Sequence, residues 1–178
     1  MVRIFGALWI LLGMTTAGLA QGNEEISEPP MTLLRLAEII TTLDPASKTN
    51  GRQFQMTIED VPVIVVTDVA ADRMRAIVPI RGADDMTPEE MERVLQANFD
   101  TALDARYAIA QGQLWATFIH PLAALEKTQF ISGLGQTVNL ARTYGTLFTG
   151  GALSFGGGDS GALQRELLDR LLKKGEEI

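Results

Sequence analysis

The segment that most constrains the fold is Asp104 to Leu122, DARYAIAQGQLWATFIHPL. It contains two runs of strand-favouring residues on either side of Gln111-Gly112-Gln113, where glycine can supply the positive φ of a tight turn. Pro121 has no backbone N–H to donate and should end the second strand. The segment therefore predicts a two-stranded antiparallel hairpin.

Neither face of this predicted hairpin is plainly polar. Tyr107 and Ile109 share one face of the first strand, and Trp115, Thr117 and Ile119 share one face of the second. Apolar faces on both sides need cover, by helices on one side and by a partner or a second copy of the chain on the other. We therefore predict these five residues as partner-binding residues.

The N-terminal residues 1–20 have the parts of a secretory signal peptide. Arg3 supplies the positive charge, an apolar run extends from Ile4 to Met14, and Gly18-Leu19-Ala20 places small residues before a cut ahead of Gln21. The alternative is an uncleaved anchor, which this short segment fits less well. We expect an exported protein, periplasmic or extracellular in a bacterium, without a stable membrane span once the signal is removed.

The composition restricts the chemistry and the partners. Because the chain has no cysteine, disulfides, thiol catalysis and thiolate metal sites are excluded, and stability must come from a buried core. Loss of Arg3 with the signal leaves 14 basic and 22 acidic residues, a net charge of −8. This acidity argues against nucleic acid and anionic lipid as main partners.

A flexible leader at 21–31 is predicted to precede one α+β domain at 32–145. The elements predicted from hydrophobic period, caps and turns are a helix at 32–43, strands at 53–59, 63–66 and 74–80, a helix at 88–103, the hairpin, and a helix within 123–144. Thr87 and Glu90 have the spacing of a capping box at the start of the second helix, and Gly145 is a natural C-terminal cap of the last. Gly133 and Gly135 weaken this last helix unless they allow close approach of another helix.

Two segments follow this domain. The glycine-rich tract 146–161 predicts a linker. Residues 162–174 predict a C-terminal amphipathic helix, because Leu163, Leu167 and Leu171 form one apolar stripe. Such a helix is more typical of a cap docked on the core than of a partner-binding arm.

Few residues suggest catalysis. His120 is the only histidine, and Asp100 or Asp104 could assist it as a general base. A single histidine without cysteine makes a poor transition-metal site. Gly158-Asp159-Ser160-Gly161 is similar to the nucleophile segment of chymotrypsin-like proteases, but the histidine lies too close to it and the chain is too short for two barrels. We predict no catalytic residue, no metal and no cofactor.

The order helix, three-strand meander, helix, hairpin, helix resembles the class I type III secretion chaperones (the Tir-chaperone type) and the related YbjN-type domains. The likeness rests on VPVIVVTDVAADRMRAIVPI, Val61 to Ile80, and on ANFDTALDARYAIAQGQLWATFIHPL, Ala97 to Leu122. It covers roughly Leu33 to Gly145. The resemblance implies an α+β domain with a five-stranded antiparallel sheet, frequent homodimerisation, polypeptide binding and no catalysis.

We therefore expect an exported, non-enzymatic binding module, chaperone-like or adaptor, that holds a polypeptide partner. It would form a homodimer through the apolar hairpin face or through the helix before it. One alternative is an envelope structural or interaction protein that uses its terminal helix as an anchor. The other is a small hydrolase or ligand-binding enzyme centred on His120.

Overall fold

The structure, a computed structural model, describes residues 28–100, 102–145 and 161–176. The predicted signal peptide, most of the predicted leader and nearly all of the glycine-rich tract lie outside the described residues.

The described elements form one antiparallel sheet and helices in the predicted order. They are α1 Leu33–Leu43, β1 Lys48–Thr49, β2 Gln53–Ile58, β3 Val61–Asp68, β4 Arg73–Gly82, α2 Pro88–Asp100, β5 Arg106–Ala110, β6 Gln113–His120, α3 Lys127–Thr143 and α4 Gly161–Gly175. The strand order is β1-β2-β3-β4-β6-β5, and each neighbouring pair is antiparallel. The predicted α+β class is confirmed.

The prediction of five strands is wrong, because β1 adds a sixth. Lys48 and Thr49 pair with Gln55 and Phe54 at the edge of the sheet. The turn that makes this pairing possible is built by Asn50, whose side-chain Oδ1 accepts hydrogen bonds from the backbone N–H groups of Arg52 and Gln53 at 3.2 and 2.9 Å. Two residues are too short to show the alternation by which strands are recognised.

Local signals placed most helix ends correctly. Thr32 caps α1 by accepting a hydrogen bond from the Arg35 N–H at 3.2 Å. At the start of α2 the predicted capping box is present, because the Glu90 N–H donates to Thr87 Oγ1 and the Thr87 N–H donates to Glu90 Oε2. Gly145, predicted as the C-terminal cap of α3, has a φ of +78°.

The core lies between the sheet and α1 and α3. Alternate side chains of the strands are buried on this side, and they meet the apolar stripes of both helices. The largest fully buried members of this core are Leu36, Ile39, Ile40, Val63, Val65, Met74, Val78, Leu114, Leu125, Phe130, Ile131 and Leu134.

Two glycines of α3 allow close packing on opposite sides of the helix. A Cβ on Gly133 would lie 2.4 Å from Cδ1 of Phe118, so this glycine admits a ring of the sheet. A Cβ on Gly135 would lie 3.3 Å from Cδ1 of Leu171 on α4. The predicted close approach of another helix therefore occurs at Gly135, whereas Gly133 determines how near α3 lies to β6.

Helix α4 is docked on the rest of the domain. Leu167 and Leu171 are buried against α3, and Lys174 Nζ donates a hydrogen bond to the backbone oxygen of Leu43 at 2.6 Å. The stripe that could have served an anchor or a partner-binding arm is thus used within the chain. Among the described residues no helix is both long and apolar enough to cross a membrane.

The last residues of the predicted flexible leader are also docked. Met31 is buried, and its N–H donates to the backbone oxygen of Ala123 at 3.1 Å. The Lys127 N–H donates to the Glu28 carboxylate at 3.1 Å and, with Arg35, holds the pKa of Glu28 below its usual value against the opposing effect of burial. Glu28 and Met31 therefore hold the end of the predicted leader against the segment that begins α3.

Replacement of Gly133 by alanine should destabilise the protein. Alanine improves helix propensity by about 1 kcal/mol, but its methyl group would overlap the buried Phe118 ring. We expect a net loss of about 2 kcal/mol in the free energy of unfolding, measured by urea denaturation. Gly135→Ala is the matched control and should change stability by less than about 1 kcal/mol, because the end of Leu171 can move. A Gly133→Ala variant as stable as the wild type would contradict this packing.

Candidate functional site

The sheet has one covered face and one open face. Helices α1, α3 and α4 lie over the covered face, where the inward side chains are buried. On the opposite side, every second residue along each strand points away from the helices. Within the described residues these side chains are half-buried or exposed. At its centre the open face consists of Ile64, Val66, Arg75, Ile77, Arg106, Ala108, Trp115, Thr117 and Ile119.

Strand register arranges these side chains in rows that cross the sheet. One row joins Ile64 on β3, Ile77 on β4 and Thr117 on β6. The next row joins Val66, Arg75 and Ile119 on the same three strands. Val66 is 40% exposed and Ile119 is 53% exposed, which is unusual for aliphatic side chains at the centre of a sheet.

Trp115 is positioned at one end of the open face by its neighbours. It pairs with Pro79 on β4 and with Ala108 on β5, and its indole Nε1 donates to the backbone oxygen of Ala110 at 3.1 Å. The small side chains of Ala108 and Ala110 leave space beside the indole. Trp115 thus forms one wall of a hollow of about 400 Å³ on the surface of β4, β5 and β6.

A second hollow of about 420 Å³ lies beside the first, over the other end of β3 and β4. The two hollows share Arg75, Ile77 and Ile119, so they adjoin each other on the open face. We refer to the two hollows together as the sheet groove.

Thr117 lies on the floor of the sheet groove with an unpartnered hydroxyl group. Its Oγ1 atom is buried and has no hydrogen-bond partner among the described residues. A buried hydroxyl without a partner costs free energy in the isolated protein. A bound group that accepts a hydrogen bond from Thr117 would remove this cost.

The structure separates the five residues predicted to bind a partner. Trp115, Thr117 and Ile119 line the sheet groove, whereas Tyr107 and Ile109 belong to the row that faces the helices. The predicted turn Gln111-Gly112-Gln113 is one residue too long. Only Gln111 and Gly112 form the turn, with φ of 54° and 69°, and Gln113 already pairs with Ala110.

That single residue decides which side chains share a face. With a three-residue turn Tyr107 would lie opposite Thr117, but the observed pairing places Arg106 there. Tyr107 is buried in the core, and its hydroxyl donates to the backbone oxygen of Leu140 at 2.8 Å. Burial raises the pKa of Tyr107 well above the usual value. Ile109 is 49% exposed at the outer edge of β5.

Asn98 on α2 covers part of the edge of β5. Its Oδ1 accepts the Tyr107 N–H at 2.7 Å, and its Nδ2 donates to the Tyr107 carbonyl at 3.1 Å, as a neighbouring strand would. An amide on the apolar stripe of a predicted helix is the sequence signal for such a contact. The interaction holds α2 beside the hairpin.

Helix α2 presents a second exposed apolar surface. Met91, Leu95 and Phe99 recur at intervals of four residues and therefore lie on one side of the helix. Leu95 is 68% exposed and Phe99 is 73% exposed. We call this surface the α2 stripe.

His120 lies in a separate cleft of about 610 Å³ between the sheet, α3 and α4, together with Asp104 and Arg106. Its Nδ1 atom is 2.8 Å from the backbone oxygen of Pro121, while Gln136 Nε2 donates to the Asp104 carboxylate at 3.1 Å. The carboxylate that would orient a catalytic histidine is thus held by a glutamine. In the described part of the chain no group of three side chains could hold a metal ion.

Removal of the Thr117 hydroxyl should stabilise the protein. Thr117→Val keeps the shape of the side chain and removes an unpartnered buried polar atom, so we expect the free energy of unfolding to rise by about 1 kcal/mol. Thr67→Val is the matched control on the covered face, where the hydroxyl donates to the Arg52 backbone oxygen at 3.0 Å. That variant should lose about 1 kcal/mol in urea denaturation. Equal losses in the two variants would show that the Thr117 hydroxyl has a partner.

No protein-family model matches this chain, and no curated protein sequence matches it. Solved structures do show similarity. One is the structure of the HopA1–SchA chaperone–effector complex, with 13% identity and a TM-score of 0.45 over 54% of this chain and 77% of that chain. Another is the crystal structure of the ExsC–ExsE complex, with 13% identity and a TM-score of 0.41 over 52% and 75%. Both likenesses are structural and cover about half of this chain; the likeness to YbjN-type domains stays a prediction.

Proposed function

We propose that this protein is an exported, non-enzymatic binding module that holds a segment of a partner polypeptide in the sheet groove. The observation that carries this proposal is the open face itself: half-buried Trp115 and exposed Ile119 flank a hydroxyl without a partner among the described residues, on a face that no described residue covers. Exposed apolar patches of this kind mark interaction sites in soluble proteins.

The shape of the sheet groove favours a chain over a small molecule. Small-molecule sites are concave and enclose most of their ligand, whereas this groove extends across β3, β4 and β6 and is open along its length. Strands lie about 4.8 Å apart, so three strands present a surface about 10 Å wide, which suits one helix or one extended segment. Trp115 supplies the kind of aromatic anchor that contributes most to such interfaces.

Export rests on the N-terminal residues 1–20 alone. Their charged start, apolar run and small-residue cleavage site support passage out of the cytoplasm. The partner would then be met in the periplasm or outside the cell. We propose this location together with the binding function.

We further propose that the α2 stripe joins two copies of the chain. A row of residues spaced four apart can pack against the same row of a second helix about a two-fold axis. The three side chains of the α2 stripe are apolar. When the stripes of two copies pack together, none of these side chains therefore brings a charge next to a like charge. The sheet groove then stays available on each copy.

A charged residue in the sheet groove should abolish partner binding without unfolding the protein. We expect Ile119→Asp to lose the partner that the wild type retains in stoichiometric amount, because a carboxylate in the centre of the groove would have to be desolvated. The measurement is photo-crosslinking from a benzoylphenylalanine at position 115, followed by mass spectrometry. Leu34→Asp is the matched control, since Leu34 is 71% exposed on the helix side.

Two outcomes of that experiment would contradict the proposal. One is a partner crosslinked equally well by Ile119→Asp and by wild type. The other is a crosslink from a probe at position 34 that matches the crosslink from position 115. Circular dichroism of the variants checks that each remains folded.

Dimer formation should depend on the α2 stripe. Phe99→Asp should convert a dimer to a monomer in sedimentation equilibrium at micromolar concentration, because the carboxylate would be buried next to its own copy. Val69→Asp is the control, since Val69 is 59% exposed in the turn between β3 and β4. A monomeric wild type, or a Phe99→Asp variant that stays dimeric, would overturn this assignment.

A further inference from the structure

The open face differs in charge from the protein as a whole. The full chain carries 15 basic and 22 acidic residues, a net charge of −7. The outward positions of the six strands, in contrast, carry four cationic side chains and one carboxylate, namely Lys48, Arg73, Arg75, Arg106 and Asp68. The outward face of the sheet thus has an excess of cations although the protein is acidic, and within the sheet groove itself Arg73 lies opposite Asp68 while Arg75 has no carboxylate opposite it.

Arg75 lies at the centre of this charge. Its register partners are Val66 on one side and Ile119 on the other, and it lines both hollows of the groove. Within the described ranges it forms no ion pair with a carboxylate. An arginine between two exposed aliphatic side chains can bind a carboxylate with both nitrogens while its neighbours bind apolar groups.

Two further donors lie in the adjacent row. Arg106 pairs directly with Thr117 across β5 and β6. The Arg106 guanidinium donates to the backbone oxygens of Leu103 and Ala105 and lines the His120 cleft with Asp104, so its charge lies beside the sheet groove and not within it. The unpartnered Thr117 hydroxyl lies beside it.

The cations of the open face and the acidity of the rest of the protein argue against two other occupants of the sheet groove, a second copy of the chain and a nucleic acid. A second copy packed on this face about a two-fold axis would bring the two sets of arginines together, and like charges at an interface cost free energy. A long polyanion such as nucleic acid would extend past the groove onto an acidic surface and be repelled. A short segment can place its acidic groups within the groove and avoid that surface.

We infer that the polypeptide segment held in the sheet groove is both acidic and aliphatic, and that Arg75 is the residue that selects for its carboxylate. This inference rests on the proposed function and specifies its partner. Aliphatic side chains of the segment pack on Val66, Ile77 and Ile119. A carboxylate between them receives hydrogen bonds from Arg75.

The test uses a random peptide library displayed on phage and selected on the purified protein. Peptides from wild type should be enriched in Asp or Glu next to Leu, Ile or Val, and they should not be enriched on Ile119→Asp. For a selected peptide, Arg75→Glu should raise the dissociation constant about tenfold or more, and Arg75→Lys should raise it less. Arg165→Glu is the matched control, because Arg165 is exposed on α4 and should change the constant less than about twofold.

The outcomes separate the inference from the proposed function. Selected peptides that need Ile119 but are neutral or basic would overturn the inference and leave the binding module intact. Selection of no peptide that depends on Ile119 would overturn both. Competition for Arg75 by a single-stranded oligonucleotide would assign the groove to a polyanion and would also overturn the inference.

Discussion

The architecture depends on the close contact between α3 and the sheet at Gly133. The missing side chain lets the Phe118 ring lie against the helix backbone, so α3 can cross β3, β4, β5 and β6 at short distance. Helix α4 then packs on α3 through Gly135. Because α1, α3 and α4 share one side of the sheet, most of the apolar inward side chains are buried there, and the opposite face is not covered by any residue that the structure describes.

The open face shows a conflict between folding and binding. A sheet with one solvated face folds well with polar residues on that face, so folding does not require exposed Ile119 and Val66 or a buried Thr117 hydroxyl without a partner. These features cost stability in the isolated protein, and the proposed partner would offset that cost by covering them. The tyrosine of the same hairpin has the opposite role, because Tyr107 is satisfied within the core.

Much of the fold could be predicted because its signals are local. The Thr87–Glu90 capping box, the hairpin glycine and Gly145 each act within a few residues, and each lies where the sequence predicts. Strand β1 and the docking of Met31 could not be predicted in this way, because both depend on residues that are distant in sequence. For the candidate site, the sequence placed Trp115, Thr117 and Ile119 on one face, as the structure does. It did not indicate Arg75 and Ile77, because they lie on β4, which becomes the neighbour of β6 only in the folded sheet.

The sequence by itself determined the helices, the strands other than β1 and the apolar character of the hairpin. It also determined that no cysteine chemistry is available. Only the tertiary structure decided which hairpin residues face the core and that a cationic row borders Trp115 and Ile119. The physical reason is that side chains alternate along a strand, so a difference of one residue in turn length or register exchanges the two faces. The register of the hairpin is set by its two-residue turn, whereas the pairing of β6 with β4 joins strands that are distant in sequence, and no local pattern specifies it.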